Sequence, residues 1–247
     1  MTRKLVAVSA DARARILIVC AANICRSPAG EELLRHQLRE IPEFQDIGIN
    51  FEISSVGTNA VSGHARCADS VAFAGPFRDD VSREFAEIEI ESFDLILTME
   101  RSHRGLIVAE NPRLRSRIFT LRDAGSLAKY LSGPGLVLDV AAKTVTLQAA
   151  SQGFEFSPLA KVPDLPESAA ERWKWFLAEL DAWRGQVPME SDSGKFGEND
   201  IPDPHDKDRA SHTEAFELLN KAILDFSLGL DRILTHPSGN LEISSQI

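Results

Sequence analysis

The sequence predicts an α/β fold with a parallel sheet and helices on both faces. Up to about Leu131, short apolar segments alternate with amphipathic segments of helical period. The apolar segments are also bounded by turn-forming residues, as strands usually are. Such alternation is typical of βαβ units, which place helices over both faces of a sheet.

The elements follow each other in a regular order. The predicted strands lie at 16–20, 51–55, 95–99 and 118–121. The predicted helices between them lie at 29–39, at 67–73 together with 81–86, and at 102–108. Ligands in this architecture bind at the carboxyl ends of the strands, which is where Cys20 stands.

The second half of the chain has a different character. Residues 133–200 are predicted to form a partly helical insertion, in which 167–185 is an amphipathic helix with an aromatic stripe and 189–200 is an acidic linker. A long amphipathic helix then closes the fold. We therefore expect a leader at 1–14, one domain at 15–235 and a tail at 236–247.

Composition narrows the class of protein. The formal net charge of -10 disfavours binding to nucleic acid or to anionic membranes, because both reward clustered Lys and Arg. No apolar run approaches the roughly 20 residues that span a bilayer. Three cysteines do not form a disulfide framework, so we expect free thiols and a cytoplasmic location. The oligomeric state stays open.

The segment ILIVCAANICRSPAGEELL, residues 16–34, has the pattern of a phosphate-binding loop between a strand and a helix. Successive backbone N–H groups and the helix N-terminus there attract an anion, and Pro28 suits the first helical turn. Arg26 has a planar fork of donors that can clamp two phosphate oxygens.

Cys20 lies below this predicted cradle, where the same groups stabilise a thiolate. A thiolate beside a bound phosphoryl group can attack it as a nucleophile. Ser27 can donate its hydroxyl proton to the sulfur. The C-x5-R spacing alone is weak, since a buried strand cysteine and a surface arginine would give it too.

A mechanism through a phosphocysteine also needs a group that protonates the leaving oxygen and later activates water. Asp203, followed by Pro204 on the loop before the last helix, is the candidate. A plain turn before a helix is the alternative interpretation of this pair.

These motifs resemble the low-molecular-weight protein tyrosine phosphatase family. The resemblance rests on VCAANICRSPAGE near the start, ISSVGT at 53–58, FDLILTMERSH at 93–103 and IPDPHDKD before the final helix. The motifs occur in the order typical of the family and cover 16–122 and 200–234.

The resemblance implies a four-stranded parallel sheet, a phosphorylated protein as substrate, and neither a metal nor an organic cofactor. It implies Cys20 as nucleophile, Arg26 as phosphate clamp and Asp203 as acid and then base. It further implies that Asn23, with Ser55 as partner, holds the loop in shape, and that Cys25 traps oxidised Cys20 as a disulfide. The residues implied to bind phosphate are Ala21, Ala22, Asn23, Ile24, Cys25 and Ser27.

The sequence departs from the family pattern at three places. Ala22 replaces the usual loop glycine, which strains the loop if that position needs a positive φ. The places of the aromatic residues that line the substrate slot are taken by Asn59, Ala60, Val61, His205 and Asp206. The insertion at 133–200 is the third departure, and it is expected either to cap the site or to bind a partner.

Other functions fit parts of the pattern. Arsenate reductases share the fold and loop, but those coupled to thioredoxin need more cysteines than Cys67 supplies. Arginine phosphatases of the family favour a small polar residue where Ile24 stands. A phosphate-binding or redox-sensing module that cycles Cys20 and Cys25 would need neither Arg26 nor Asp203. His205 is the one histidine expected near the chemistry, and Glu100 is expected either to brace the loop or to be solvated.

Overall fold

The computed structural model describes residues 12–45, 47–132, 165–187 and 199–235. Its centre is a four-stranded parallel sheet, as expected, and its strands lie in the order β2-β1-β3-β4. The strands are β1 at Ala12–Cys20, β2 at Ile49–Gly57, β3 at Leu95–Thr98 and β4 at Ile118–Thr120. Residues 12–14, predicted to belong to the leader, are therefore part of β1.

Six α-helices surround this sheet within the described ranges. They are α1 at Arg26–Glu40, α2 at Ala68–Ala74, α3 at Arg101–Glu110, α4 at Leu121–Ser132, α5 at Ala169–Ala182 and α6 at Arg209–Thr235. Short 3-10 helices occur at Pro42–Gln45, Phe85–Glu87, Ile90–Ser92 and Pro112–Arg117. None of the described helices is both long and apolar enough to cross a membrane.

The helices cover both faces of the sheet, and the side chains of β1 show how. Ile16 and Ile18 point to the larger core, which also contains apolar residues of α1, α4, α5 and α6. Leu17 and Val19 point to a smaller core on the opposite face, against α3 and its neighbours. A strand buried on both faces lies in the centre of a sheet, so the loop that leaves β1 starts from a rigid position.

Two local predictions are wrong. Residues 81–86 form no α-helix: Val81 pairs with Ala65 and Glu84 pairs with Gly57 in isolated bridges. Leu121 begins α4 instead of ending β4, because the chain passes from strand to helix without a connecting loop. The sequence therefore offered no turn residue to mark the start of α4, and this helix was not predicted.

The predicted insertion contributes to the core. Helix α5 lies within it and buries Trp173, Phe176 and Leu180 in the larger core. The predictions for 1–11, 133–164, 188–198 and 236–247 lie outside the described residues.

Candidate active site

Residues 21–25 connect β1 to α1 as a loop whose carbonyl groups point outward. The carbonyl oxygens of Cys20 and Ala21 accept from the N–H groups of Thr58 and Asn59, each at 2.9 Å. Further along the loop, three more carbonyls are bound from outside: Asn23 by the Arg66 guanidinium, Ile24 by the Cys67 N–H at 3.1 Å, and Cys25 by the Ser70 hydroxyl at 2.7 Å.

The opposite side of the same peptides forms a concave row of donors. In a trans peptide the C=O and N–H groups point in opposite directions. The outward carbonyls therefore turn the N–H groups of the following residues inward, toward the sulfur of Cys20. The Asn23 N–H also points inward, since it donates to Cys20 Sγ at 3.2 Å. Such an arrangement of amides binds anions.

Asn23 holds the loop in shape through both ends of its side chain. Its φ of 54° lies in the left-handed region, where Asn is among the few residues that occur readily. The amide nitrogen donates to Ser27 Oγ and Ser55 Oγ, both at 2.9 Å. The amide oxygen accepts from the Arg66 guanidinium at 2.8 Å and from the Arg83 N–H at 2.9 Å.

Ala22 does not strain the loop. The positive φ in this segment belongs to Asn23, and Ala22 has a negative φ. The expected conflict between a side chain and a glycine conformation is therefore not present at this position.

The thiol of Cys20 lies at the floor of the loop and is 3% exposed. Ser27 Oγ lies 3.0 Å from Cys20 Sγ and 3.3 Å from the carbonyl oxygen of Val56. Ser27 Oγ accepts from Asn23, and its one proton can go either to the Val56 carbonyl oxygen or to the closer sulfur of Cys20. A hydroxyl that donates to sulfur stabilises the thiolate form.

Arg26 faces Cys20 from the first turn of α1 and is 2% exposed. Its Nη1 donates to the carbonyl of Ile201 at 2.8 Å and to the carboxylate of Glu100. Its Nη2 lies 2.7 Å from Asp203 Oδ2. Glu100 thus braces Arg26 from the end of β3, while Asp203, 44% exposed, meets it from the solvent side.

A small pocket opens above the sulfur. It is lined by Cys20, Ala22, Ile24, Cys25, Arg26, Asp203 and His205. Of the residues at the places of the slot aromatics, His205 belongs to this lining, and Asn59, Ala60, Val61 and Asp206 do not. Val61 is 62% exposed instead. Besides the loop residues, Arg26 and Asp203, the described lining therefore offers a substrate the aliphatic side chain of Ile24 and the imidazole of His205.

Cys25 belongs to a second group of side chains beside the loop. Its Sγ lies 3.6 Å from Nδ1 of His205, and together with Cys67 and His212 it forms a cluster of potential metal ligands within 4.8 Å of one another. Burial raises the pKa of the Cys25 thiol, and the neighbouring Cys67 raises it further. Cys25 is therefore a neutral thiol at physiological pH.

Several contributors to the site were not found from the sequence. Arg66 and Arg83 bind Asn23 and the β2 backbone from a region predicted in part to be helical. Gly57 lies within the ISSVGT motif, but its role in the site depends on its close approach to the loop, which the motif does not show. Cys67 and His212 are separated by 145 residues, so no spacing could connect them.

Comparison with known proteins agrees with this geometry. The sequence profile described as low molecular weight phosphotyrosine protein phosphatase matches residues 15–129. A probable low molecular weight protein-tyrosine-phosphatase of Erwinia amylovora, AmsI, is 33% identical over 106 residues, which are 41% of this chain and 67% of that protein. A protein-arginine-phosphatase of Bacillus subtilis is 29% identical over 132 residues, 52% of this chain and 85% of that protein.

The fold has a counterpart among solved structures. A protein tyrosine phosphatase from Entamoeba histolytica superposes with a TM-score of 0.51 at 15% identity, covering 88% of this chain and 96% of that one. At this identity the likeness concerns the fold only.

Proposed function

Because the chain belongs to the low molecular weight protein tyrosine phosphatase family, we propose that it hydrolyses phosphotyrosine in proteins through a phosphocysteine intermediate. The observation that carries the proposal is the position of Cys20 Sγ. This sulfur accepts from the Asn23 N–H at 3.2 Å and lies 3.0 Å from Ser27 Oγ, with Arg26 and Asp203 lining the same pocket.

The first step is attack of the Cys20 thiolate on phosphorus. The amides of 21–26 and the Arg26 guanidinium bind the phosphate oxygens, so Arg26 exchanges its contact with Asp203 for one with the substrate. An S–P bond forms while the P–O bond to the tyrosine breaks. Once Asp203 has left Arg26 and taken up a proton from solvent, it donates that proton to the leaving oxygen.

The second step hydrolyses the phosphocysteine. The Asp203 carboxylate takes a proton from water, the water oxygen bonds to phosphorus, and the S–P bond breaks to release inorganic phosphate. Ser27 donates its hydroxyl to the departing thiolate. The groups required lie at the end of β1, on the loop, in the first turn of α1 and on the segment before α6, and the chemistry proposed uses no metal or organic cofactor.

The test is hydrolysis of p-nitrophenyl phosphate under reducing conditions. We expect Cys20→Ser to abolish turnover and to leave vanadate binding largely intact, because the ring of amides and Arg26 stay in place. Cys67→Ser is the matched control, since the same substitution outside the pocket should retain turnover. Turnover by Cys20→Ser, or no turnover by folded and reduced wild type, would contradict the proposal.

Arginine phosphatase activity is the second candidate, favoured by the relative from Bacillus subtilis and by a pocket lining that, among the described residues, contains no Phe, Tyr or Trp. Ile24 favours phosphotyrosine, because it presents an apolar wall to the substrate where arginine phosphatases of the family favour a small polar residue. Initial rates on matched phosphotyrosine and phosphoarginine peptides separate the two, and we expect the phosphotyrosine peptide to be the better substrate.

We further propose that 15–235 forms one catalytic domain and that the protein acts in the cytoplasm. The burial of α5 in the larger core supports the single domain. The three cysteines are free thiols, which suits a reducing compartment.

A further inference from the structure

Beside the phosphate loop, the thiols of Cys25 and Cys67 and the imidazole of His212 converge from three different elements. Cys25 precedes α1, Cys67 precedes α2, and His212 lies in the first turn of α6. Their ligand atoms all lie within 4.8 Å of one another, and Cys67 Sγ is 3.6 Å from His212 Nε2. We propose that the Cys25, Cys67 and His212 side chains bind one thiophilic divalent cation such as Zn²⁺.

The separation between the Cys67 and His212 ligand atoms suits tetrahedral coordination. Bonds of about 2.3 Å to sulfur and 2.0–2.1 Å to nitrogen place a sulfur and a nitrogen ligand roughly 3.6 Å apart around zinc. The distance from Cys67 Sγ to His212 Nε2 has this value. Binding displaces the protons of the two thiols into solvent, and the resulting two thiolates with one imidazole are a ligand set that soft and borderline cations prefer to carboxylates.

The imidazole of His212 is oriented as a ligand would be. Its Nδ1 donates to the carbonyl oxygen of Asp208 at 3.0 Å, so in the neutral ring the lone pair is on Nε2, which faces Cys67. The ring of Phe216 lies 5.9 Å away and helps to fix the ring plane. Metal-binding histidines characteristically use the second nitrogen in this way.

The two thiols are held by backbone contacts on either side. The Cys67 N–H donates to the carbonyl of Ile24 at 3.1 Å, and the Ser70 hydroxyl donates to the carbonyl of Cys25 at 2.7 Å. The start of α2 is thus attached to the loop, and the cation would not have to assemble the site.

The fourth position opens toward the surface. Asp69 Oδ2 lies 3.9 Å from His212 Nε2, and its side chain is 51% exposed. This carboxylate or a water molecule can complete the coordination, and the partial exposure of Cys67 gives the cation a path of entry. The site shares Cys25 with the phosphate loop but does not include Cys20, Arg26 or Asp203.

The test measures Zn²⁺ affinity by competition with a chromophoric chelator, using the full chain with Cys20→Ser so that the thiol in the pocket is absent. We expect one equivalent to bind. Adding Cys67→Ser or His212→Gln should weaken binding at least about tenfold, as changes around metal sites do. Adding His36→Gln, which removes a histidine 63% exposed on α1, should change nothing.

Two further measurements identify the ligands. Co²⁺ in place of Zn²⁺ should give a thiolate-to-cobalt charge-transfer band that weakens with Cys67→Ser. Zn²⁺ should also protect Cys67 from alkylation, which peptide mass spectrometry measures. This experiment leaves the three ligand residues unchanged, so it tests the proposal even if a substituted variant misfolds.

Three outcomes would overturn the proposal. They are the absence of Zn²⁺ binding and of protection of Cys67, binding that survives both Cys67→Ser and His212→Gln, and binding by wild type that disappears with Cys20→Ser. The last would place the cation on the pocket thiol instead of the cluster.

Discussion

Arg26 binds two carboxylates that have different surroundings. Glu100 is a fixed partner, whereas Asp203 is one that a substrate can replace. Glu100 is fixed at the end of β3 and holds Nη1, which also donates to Ile201. Asp203 holds Nη2 from a loop and is more exposed than Glu100. In the proposed mechanism, a phosphate that arrives at Nη2 therefore displaces Asp203, while Glu100 keeps its contact with Nη1.

Asp203→Asn tests whether this residue is the acid. The amide is nearly the same size and can still accept from Arg26, but it has no proton to transfer. We expect kcat/KM, which reports the first step and not the hydrolysis of the phosphocysteine, to fall by about 10²–10⁴-fold for phenyl phosphate, whose leaving group needs protonation. For p-nitrophenyl phosphate, whose leaving group departs more readily unprotonated, the fall in kcat/KM should be much smaller.

Asp206→Asn is the matched control for this prediction. Asp206 is on the same loop, its side chain is 91% exposed, and its φ of 59° is one that Asn adopts readily. Both substrates should therefore be turned over at the wild-type rate. An equal loss on both substrates for Asp203→Asn would make Asp203 structural and not the acid.

At the scale of the elements, the shape of the phosphate loop depends on how closely the end of β2 approaches it. Gly57 pairs with Cys20 in the parallel register. A Cβ added at Gly57 would clash with the carbonyl oxygen of Ala21 and lie 2.8 Å from the carbonyl carbon of Ala22. These are backbone atoms of the loop itself, so the clash cannot be relieved by a side-chain rotation.

Gly57→Ala should therefore displace the loop. We expect a loss of about 1–3 kcal/mol in the free energy of unfolding, the usual range for overpacking, together with a fall in kcat/KM for p-nitrophenyl phosphate. Gly105→Ala is the control, because Gly105 is exposed within α3 and has open space around its Cβ position. That change should raise stability by about 0.5–1 kcal/mol and leave activity unaltered. Wild-type activity in Gly57→Ala would contradict the proposed tight fit.

The elements also show what the sequence could and could not predict. The sheet and the Cys20 loop were predictable because apolar period, turn residues and the Ser27-Pro28 pair are all local signals. Arg66 and Arg83 were not, because an arginine has no local pattern that indicates which backbone atom it will bind. Helix α4 was missed for a similar reason, since its start depends on the end of β4 and not on a capping residue.

At the scale of the molecule, α4 and α6 pack at backbone distance and thereby set the position of the segment that carries Asp203. A Cβ at Gly125 would lie 2.7 Å from the carbonyl oxygen of Ala222, and one at Gly229 would lie 2.8 Å from Cβ of Ala128. Helix α5 then covers the outer side of this pair. Arg172 of α5 donates from Nε to the carbonyl of Leu234 at 2.9 Å, near the end of α6.

The burial of α5 makes part of the predicted insertion necessary for the stability of the domain. Phe176 is fully buried, with its ring centroid 5.9 Å from those of Trp173 and Phe226. Phe176→Ala should lower the free energy of unfolding by about 3–5 kcal/mol, because it removes a large side chain and leaves a cavity. Lys174→Ala, at an exposed position of the same helix, should change it by less than about 0.5 kcal/mol. Urea denaturation of both variants beside wild type measures this difference. Equal denaturation midpoints for the two variants would mean that α5 adds little to the stability of the domain. The expected difference between the midpoints would mean that α5 is part of the same core that supports the Asp203 segment.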